Sequence, residues 1–211
     1  MSKNTRNRIL LTAIAALLLV AVAVGGTLAW LTDSSDTVTN TFTETTINVS
    51  LDETTKEYEM VPGREIAKDP KVTLETGSEA SYVFVKITQS GNFEDYMVAY
   101  EMTNMWEQVG ANITEADGST SKVWMYKDVV KGGDVLQVLA GSEAYESGHV
   151  TVKDTVTKTM MDNITSGAIS EPTLVLTAYA IQNEVIKDKG WTNAQIWELA
   201  QTNGSQAAPA N

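Results

Sequence analysis

The sequence predicts an all-β fold, an antiparallel β-sandwich with one or two short accessory helices. Two observations carry this. Apolar and polar residues alternate with period two in several short stretches, and turn signals separate those stretches. After the apolar N-terminal segment, no helix-period stretch of useful length appears until near residue 155.

The elements follow in chain order. "TTINVSL" sets Ile47, Val49 and Leu51 on one face of a strand. "YVFVKIT" (82–88) sets Val83, Val85 and Ile87 on one face and Tyr82, Phe84 and Lys86 on the other. "KVWMYKDVV" (122–130) and "DVLQVLA" (134–140) flank Lys131-Gly132-Gly133, which predicts a hairpin. "TVTKTMMDNIT" (155–165) spaces Val156, Met160 and Ile164 by four and predicts a short helix. "PTLVLTAYAIQ" (172–182) places Leu174, Leu176, Ala178 and Ala180 opposite Val175, Thr177, Tyr179 and Ile181. Apolar on both faces, it predicts a central strand covered on both sides. "TNAQIWELAQ" (192–201) opens on a Thr or Asn cap and predicts a helix burying Ile196 and Trp197. Trp106, Trp124, Trp191 and Trp197 follow apolar patterns and are expected in the core. Residues 202–211 have nothing evident to pack and are expected to be a disordered tail.

The first 29 residues have a different character. Lys3, Arg6 and Arg8 precede a 16-residue apolar segment, Ile9 to Val24, and small residues follow it. This is the layout of a secretory signal peptide over 1–29, cut after Ala29. Thr27 and Ala29 stand at the positions a signal peptidase reads, and Trp30 begins the released chain. The competing reading is an uncleaved anchor, because counting on to Leu31 gives about 23 residues where ~20 span a bilayer. Under both readings the remainder lies outside the cell, with the membrane engaged only through an uncleaved signal segment.

Charge and composition exclude several function classes. Losing the three positive charges of 1–29 takes the formal charge from −12 to −15. That balance argues against nucleic acid, whose phosphates require Lys and Arg to displace their counterions. No Cys is present, so disulfides and thiolate metal sites are unavailable. The single His, His149, cannot make the paired-His zinc motif, and no Gly-x-Ser-x-Gly elbow or phosphate-binding Gly loop occurs. Asp52-Glu53 and Glu94-Asp95 read as solvated acids, and "EADGS" (115–119) lacks the spacing of a calcium loop. No catalytic residue, metal site or cofactor is therefore expected.

"GGTLAWLTDSSDTVTNTFT" (25–43) resembles the signal-and-leader segment of the TasA and camelysin group of exported proteins, which a SipW-type signal peptidase processes. The matching residues are Gly25, Gly26, Thr27, Ala29, Trp30, Asp33 and Asn40-Thr41-Phe42. "VPGREIAKDPKVTLETGSEASYVFVKI" (61–87) and "LTAYAIQ" (176–182) are similar to further blocks of clostridial-type proteins with this signal. The resemblance implies a jelly-roll-like sandwich over 47–201 that serves as a secreted, Gram-positive-type matrix or biofilm fibre subunit at the cell surface. It implies self-association, or association with sibling matrix proteins, and a dedicated signal peptidase as processing partner. It also implies that 30–46 is an extended donor strand, for which Trp30, Leu31, Val38 and Phe42 are the candidate anchors. The alternatives are an exported binding module for a surface or carbohydrate ligand, and a camelysin-like metalloprotease, which the lone His disfavours.

Overall fold

The computed structural model of the chain describes residues 46–54 and 58–207. The expected signal peptide and most of the 30–46 segment lie outside the described residues, as do Thr27, Ala29, Trp30, Leu31, Val38 and Phe42.

In chain order the strands and helices are β1 (Val49–Asp52), β2 (Glu65–Ala67), β3 (Lys71–Leu74), β4 (Ser81–Gln89), α1 (Phe93–Tyr96), β5 (Trp106–Gln108), β6 (Ile113–Thr114) and β7 (Thr120–Tyr126). They continue with β8 (Val135–Gln137), β9 (His149–Thr151), α2 (Lys158–Thr165), β10 (Leu174–Gln182), α3 (Asn183–Ile186), α4 (Asn193–Asn203) and β11 (Ser205–Gln206). All strand pairs are antiparallel, as a β-rich domain joined by short turns requires. The largest sheet runs β11-β10-β4-β7-β5, with β6 also on β7. A second has the order β1-β3-β8, and a third pairs β2 with β9.

Alternation along β4 and β10 divides the interior in two. Val83, Val85, Ile87, Leu174, Leu176, Ala178 and Ala180 face a core shared with Val72 and Leu74 of β3, Leu136 of β8 and Val150 of β9. Phe84 and Ile181 point the other way, into a smaller core under α4. There Trp197 meets Phe84 at 5.5 Å and Tyr179 edge-on at 4.9 Å, separations that suit tilted aromatic packing. The helix arises where its sequence signals stand. Thr192 caps it, and Gln195 returns the bond to the Thr192 backbone, forming a capping box. α2 begins later than its pattern suggests, at Lys158, because Thr157 supplies the cap by accepting from the Met160 N–H. Val156, Met160 and Ile164 pack against the main core as their spacing requires.

Three expectations are corrected. β7 and β8 do not form a hairpin: β7 pairs with β4 in the large sheet and β8 with β3 in another. The Lys131–Asp134 turn carries the chain between sheets, and Gly132 is needed because a Cβ there would meet the Ser78 carbonyl at 2.7 Å. β10 lies inside the large sheet, between β4 and the two-residue β11, and its two faces enter the two cores as its pattern predicts. The tail is ordered at its start, since α4 continues to Asn203, β11 follows and Ala207 is buried, whereas 208–211 lie outside the described residues. Trp191 is 36% exposed, with Lys189 stacked over its ring, whereas Trp106 and Trp197 are buried as expected. Trp124 is half-buried against the core.

Candidate functional site: a partly paired strand edge beside a groove

Hydrogen-bond parity along β10 defines the site. The Thr173 carbonyl accepts from the Ser90 N–H at 3.0 Å, so odd-numbered residues of this strand turn their backbone groups toward β4. Even-numbered residues turn theirs outward, where the Ala178 carbonyl accepts from the Ala207 N–H at 2.9 Å. Among the described residues β11 satisfies that edge at Ala178 and Ala180. No described strand pairs with the outward groups of Leu174 and Leu176. An edge of this kind is a template for an added strand.

A groove of about 1080 Å³ lies at the same end of β10. Leu174 and Val175 line it together with Ile66, Val150, Met60, Phe93 and Met97. Tyr58, Glu59, Lys68, Glu171, Pro172 and Thr173 complete the lining. β2 is itself an edge strand: Lys68 donates to Gly148 at 3.0 Å, so Ile66 and its even-numbered neighbours face β9, and Glu65 and Ala67 face outward. Gly148 makes this pairing possible, because it has φ 129° and a Cβ there would meet the Lys68 carbonyl at 2.4 Å.

Beside the groove sits a buried ion pair. Lys68 Nζ donates to Glu53 Oε1 at 2.8 Å and Oε2 at 3.0 Å, and the Glu53 side chain is wholly inaccessible. Tyr58 Oη donates to Glu53 Oε1 at 2.7 Å, with the Lys68 ammonium 5.4 Å from its ring centre. Burial first, then the bond to Glu53, pushes the Tyr58 phenol well above its ordinary 10.0, so it remains a donor. Asp69 fixes the neighbouring backbone: Thr54 donates to it from its N–H and its hydroxyl. Although burial opposes ionisation, those bonds hold the Asp69 carboxyl below its ordinary 3.8. Glu53 is thus a correction to the reading of Asp52-Glu53 as solvated. The signal that could have exposed it is the burial of Lys68, which no local pattern reveals.

The remaining candidate residues have structural roles. His149 opens β9 with Nδ1 3.1 Å from the Ala140 carbonyl. Glu94 accepts from Gln89 at 2.9 Å, and "EADGS" forms a turn closed by the Glu115 N–H on the Ser119 carbonyl. Among the described residues no group of three or more His, Cys, Asp or Glu is placed to hold a metal ion, and no helix is long and apolar enough to cross a membrane.

On the outer face of the large sheet, Glu115 accepts from Lys86 at 2.8 Å and from Ser121 at 2.7 Å. The Lys86 bond first, then Ser121, holds its carboxyl below the ordinary 4.5. A depressed folded value means that Glu115 contributes its stability above the unfolded value and loses it as pH falls through the folded one. Glu115→Gln is therefore expected to flatten the acid limb. The difference in urea midpoint between about pH 6 and about pH 3 should be smaller in the variant than in the wild type. An identical difference in both proteins would remove Glu115 from the acid response.

The described residues thus form an antiparallel, β-rich, sandwich-like domain with a few short helices and, among them, a β10 edge paired only in part beside a partly apolar groove. Comparison with protein-family models, with curated proteins and with solved structures finds no match.

Proposed function

We propose that this protein is a secreted structural subunit of an extracellular matrix, a jelly-roll-like sandwich that assembles without covalent links. In this reading a signal peptidase cuts after Ala29, and residues 30–46 of one copy add as a donor strand to the β10 edge of the next. The observation that carries it is that backbone groups at Leu174 and Leu176, which no strand among the described residues pairs, coincide with a partly apolar groove alongside. An added strand satisfies the first by main-chain hydrogen bonds and fills the second with alternate side chains. The acidic surface keeps the free subunit soluble, and the lack of Cys is compatible with non-covalent assembly.

The test uses the chain beginning at Trp30, with its N-terminus free. It is expected to form polymers at high concentration, and removal of residues 30–39 is expected to abolish them without changing the melting temperature. Polymer growth that survives the deletion sinks the donor-strand mechanism. A chain that remains monomeric throughout favours the binding-module reading instead.

A further inference from the structure

We propose that a small polar pocket at the ends of β4 and β7 binds a small zwitterion of the α-amino acid class, with its carboxylate on Lys122 and its ammonium on Glu94. The pocket has a volume of about 220 Å³ and shares no lining residue with the groove beside β10. It lies where the inward-facing stripes of two neighbouring strands change character. Along β4, Val83, Val85 and Ile87 enter the large core, and the next residue on that face is Gln89. Along β7, Tyr126 and Trp124 pack against the same core, and Lys122 and Thr120 follow on that face. Gln89 stands opposite Thr120 in the ladder, so the two polar ends meet.

The two charges of the pocket are held apart. Gln89, itself only 8% exposed, donates from Nε2 to Glu94 Oε1 at 2.9 Å. The Lys122 ammonium lies 5.4 Å from the centre of the Tyr100 ring, whose face draws a cation. Among the described residues that ammonium joins no ion pair. Glu94 acts on the same ring. Burial first pushes the Tyr100 phenol up to about 12, the Trp124 indole opposes the shift, and the Glu94 charge adds to it.

This arrangement selects the ligand by charge. A lone anion would answer Lys122 but meet Glu94, and a lone cation would do the reverse. A molecule with both charges on neighbouring atoms answers both, through charge-assisted hydrogen bonds. Asn112 and Thr120 add an amide and a hydroxyl to the lining. Backbone closes one side tightly, because a Cβ at Gly91 would meet the Gly118 carbonyl at 2.9 Å. The volume falls below the ~300–1,000 Å³ of pockets for drug-sized ligands. The occupant is therefore a single amino acid with a small or polar side chain, not a peptide or a glycan.

The test titrates the span Glu44–Asn211 with glycine, L-alanine and L-serine and follows its backbone amides by NMR. That span forms one compact unit and contains every residue of both cores. It omits 30–43, so the outcome is independent of the donor-strand reading. At least one of the three ligands is expected to half-saturate below about 10 mM, with shifts centred on Gln89, Glu94 and Lys122. Acetate and methylammonium carry one charge each and are expected to bind at least about tenfold more weakly. Lys122→Gln and Glu94→Gln are each expected to weaken amino acid binding at least about tenfold, with the melting temperature reporting an intact fold. Should one variant fail to fold, the other carries the comparison. The proposal is overturned if none of the three ligands gives a saturable shift, or if a folded variant binds as well as wild type. Acetate binding as tightly as glycine overturns it too, and leaves a simple anion site.

Discussion

Lys68→Met is expected to lower the free energy of unfolding by about 3–5 kcal/mol, the largest stability loss from any single charge change in the domain. Glu53 has no accessible side-chain surface, and Lys68 retains only 8% of its own. Removing the ammonium leaves a carboxylate out of water with Tyr58 as its remaining side-chain donor. An uncompensated buried charge costs far more than the net worth of the intact pair. The double variant Glu53→Leu with Lys68→Met is therefore expected to recover most of the loss, because it buries no charge. Urea denaturation of the three proteins measures this. If the double variant is as unstable as the single one, packing by the lysine stem dominates rather than the orphaned carboxylate.

Phe42→Asp is expected to weaken subunit association by at least about 100-fold, through loss of roughly 1.5–3 kcal/mol of apolar burial and the added cost of desolvating a carboxylate. The groove it would enter is lined by Ile66, Val150, Phe93, Met97 and Leu174. Val38 and Phe42 are four residues apart, so an extended chain presents both to the same side, about 13 Å from each other. Ser35→Asp, in the polar centre of the segment, should leave association nearly unchanged. The critical concentration for polymer growth reads both variants. Equal values for Phe42→Asp and wild type would mean that Phe42 does not anchor the strand.

The parts of the fold legible in the sequence were those written in local periodicity. Val83, Val85 and Ile87 alternate against Phe84, and the strand they form is buried on both faces as that pattern demands. Thr192 and Gln195 stand three apart at a helix start, and the capping box forms there. Partner choice was not legible. β10 is as apolar on both faces as β4, yet among the described residues β4 is paired along both edges and β10 has only the short β11 on its outer side. Side-chain pattern reports which faces are covered, whereas the edges are satisfied by backbone groups that every residue carries alike. The Lys131–Asp134 turn likewise reads as a hairpin whichever sheet its two arms join.

Of the candidate site, the donor segment was an expectation that came with the resemblance of the leader, in which Val38 and Phe42 fall four apart; that segment lies outside the described residues. The proposed acceptor had no local signature. It is made where β2, the residues around α1 and the first half of β10 converge, and Glu53 and Lys68 find each other only through that convergence. By itself, then, the sequence determined an acidic, cysteine-free chain of alternating strands with one well-capped helix. Only the tertiary structure decided which strands pair and which charges are buried. Both outcomes depend on which distant segments become neighbours, and the large core formed by many small contacts selects that arrangement where no single stretch of chain can.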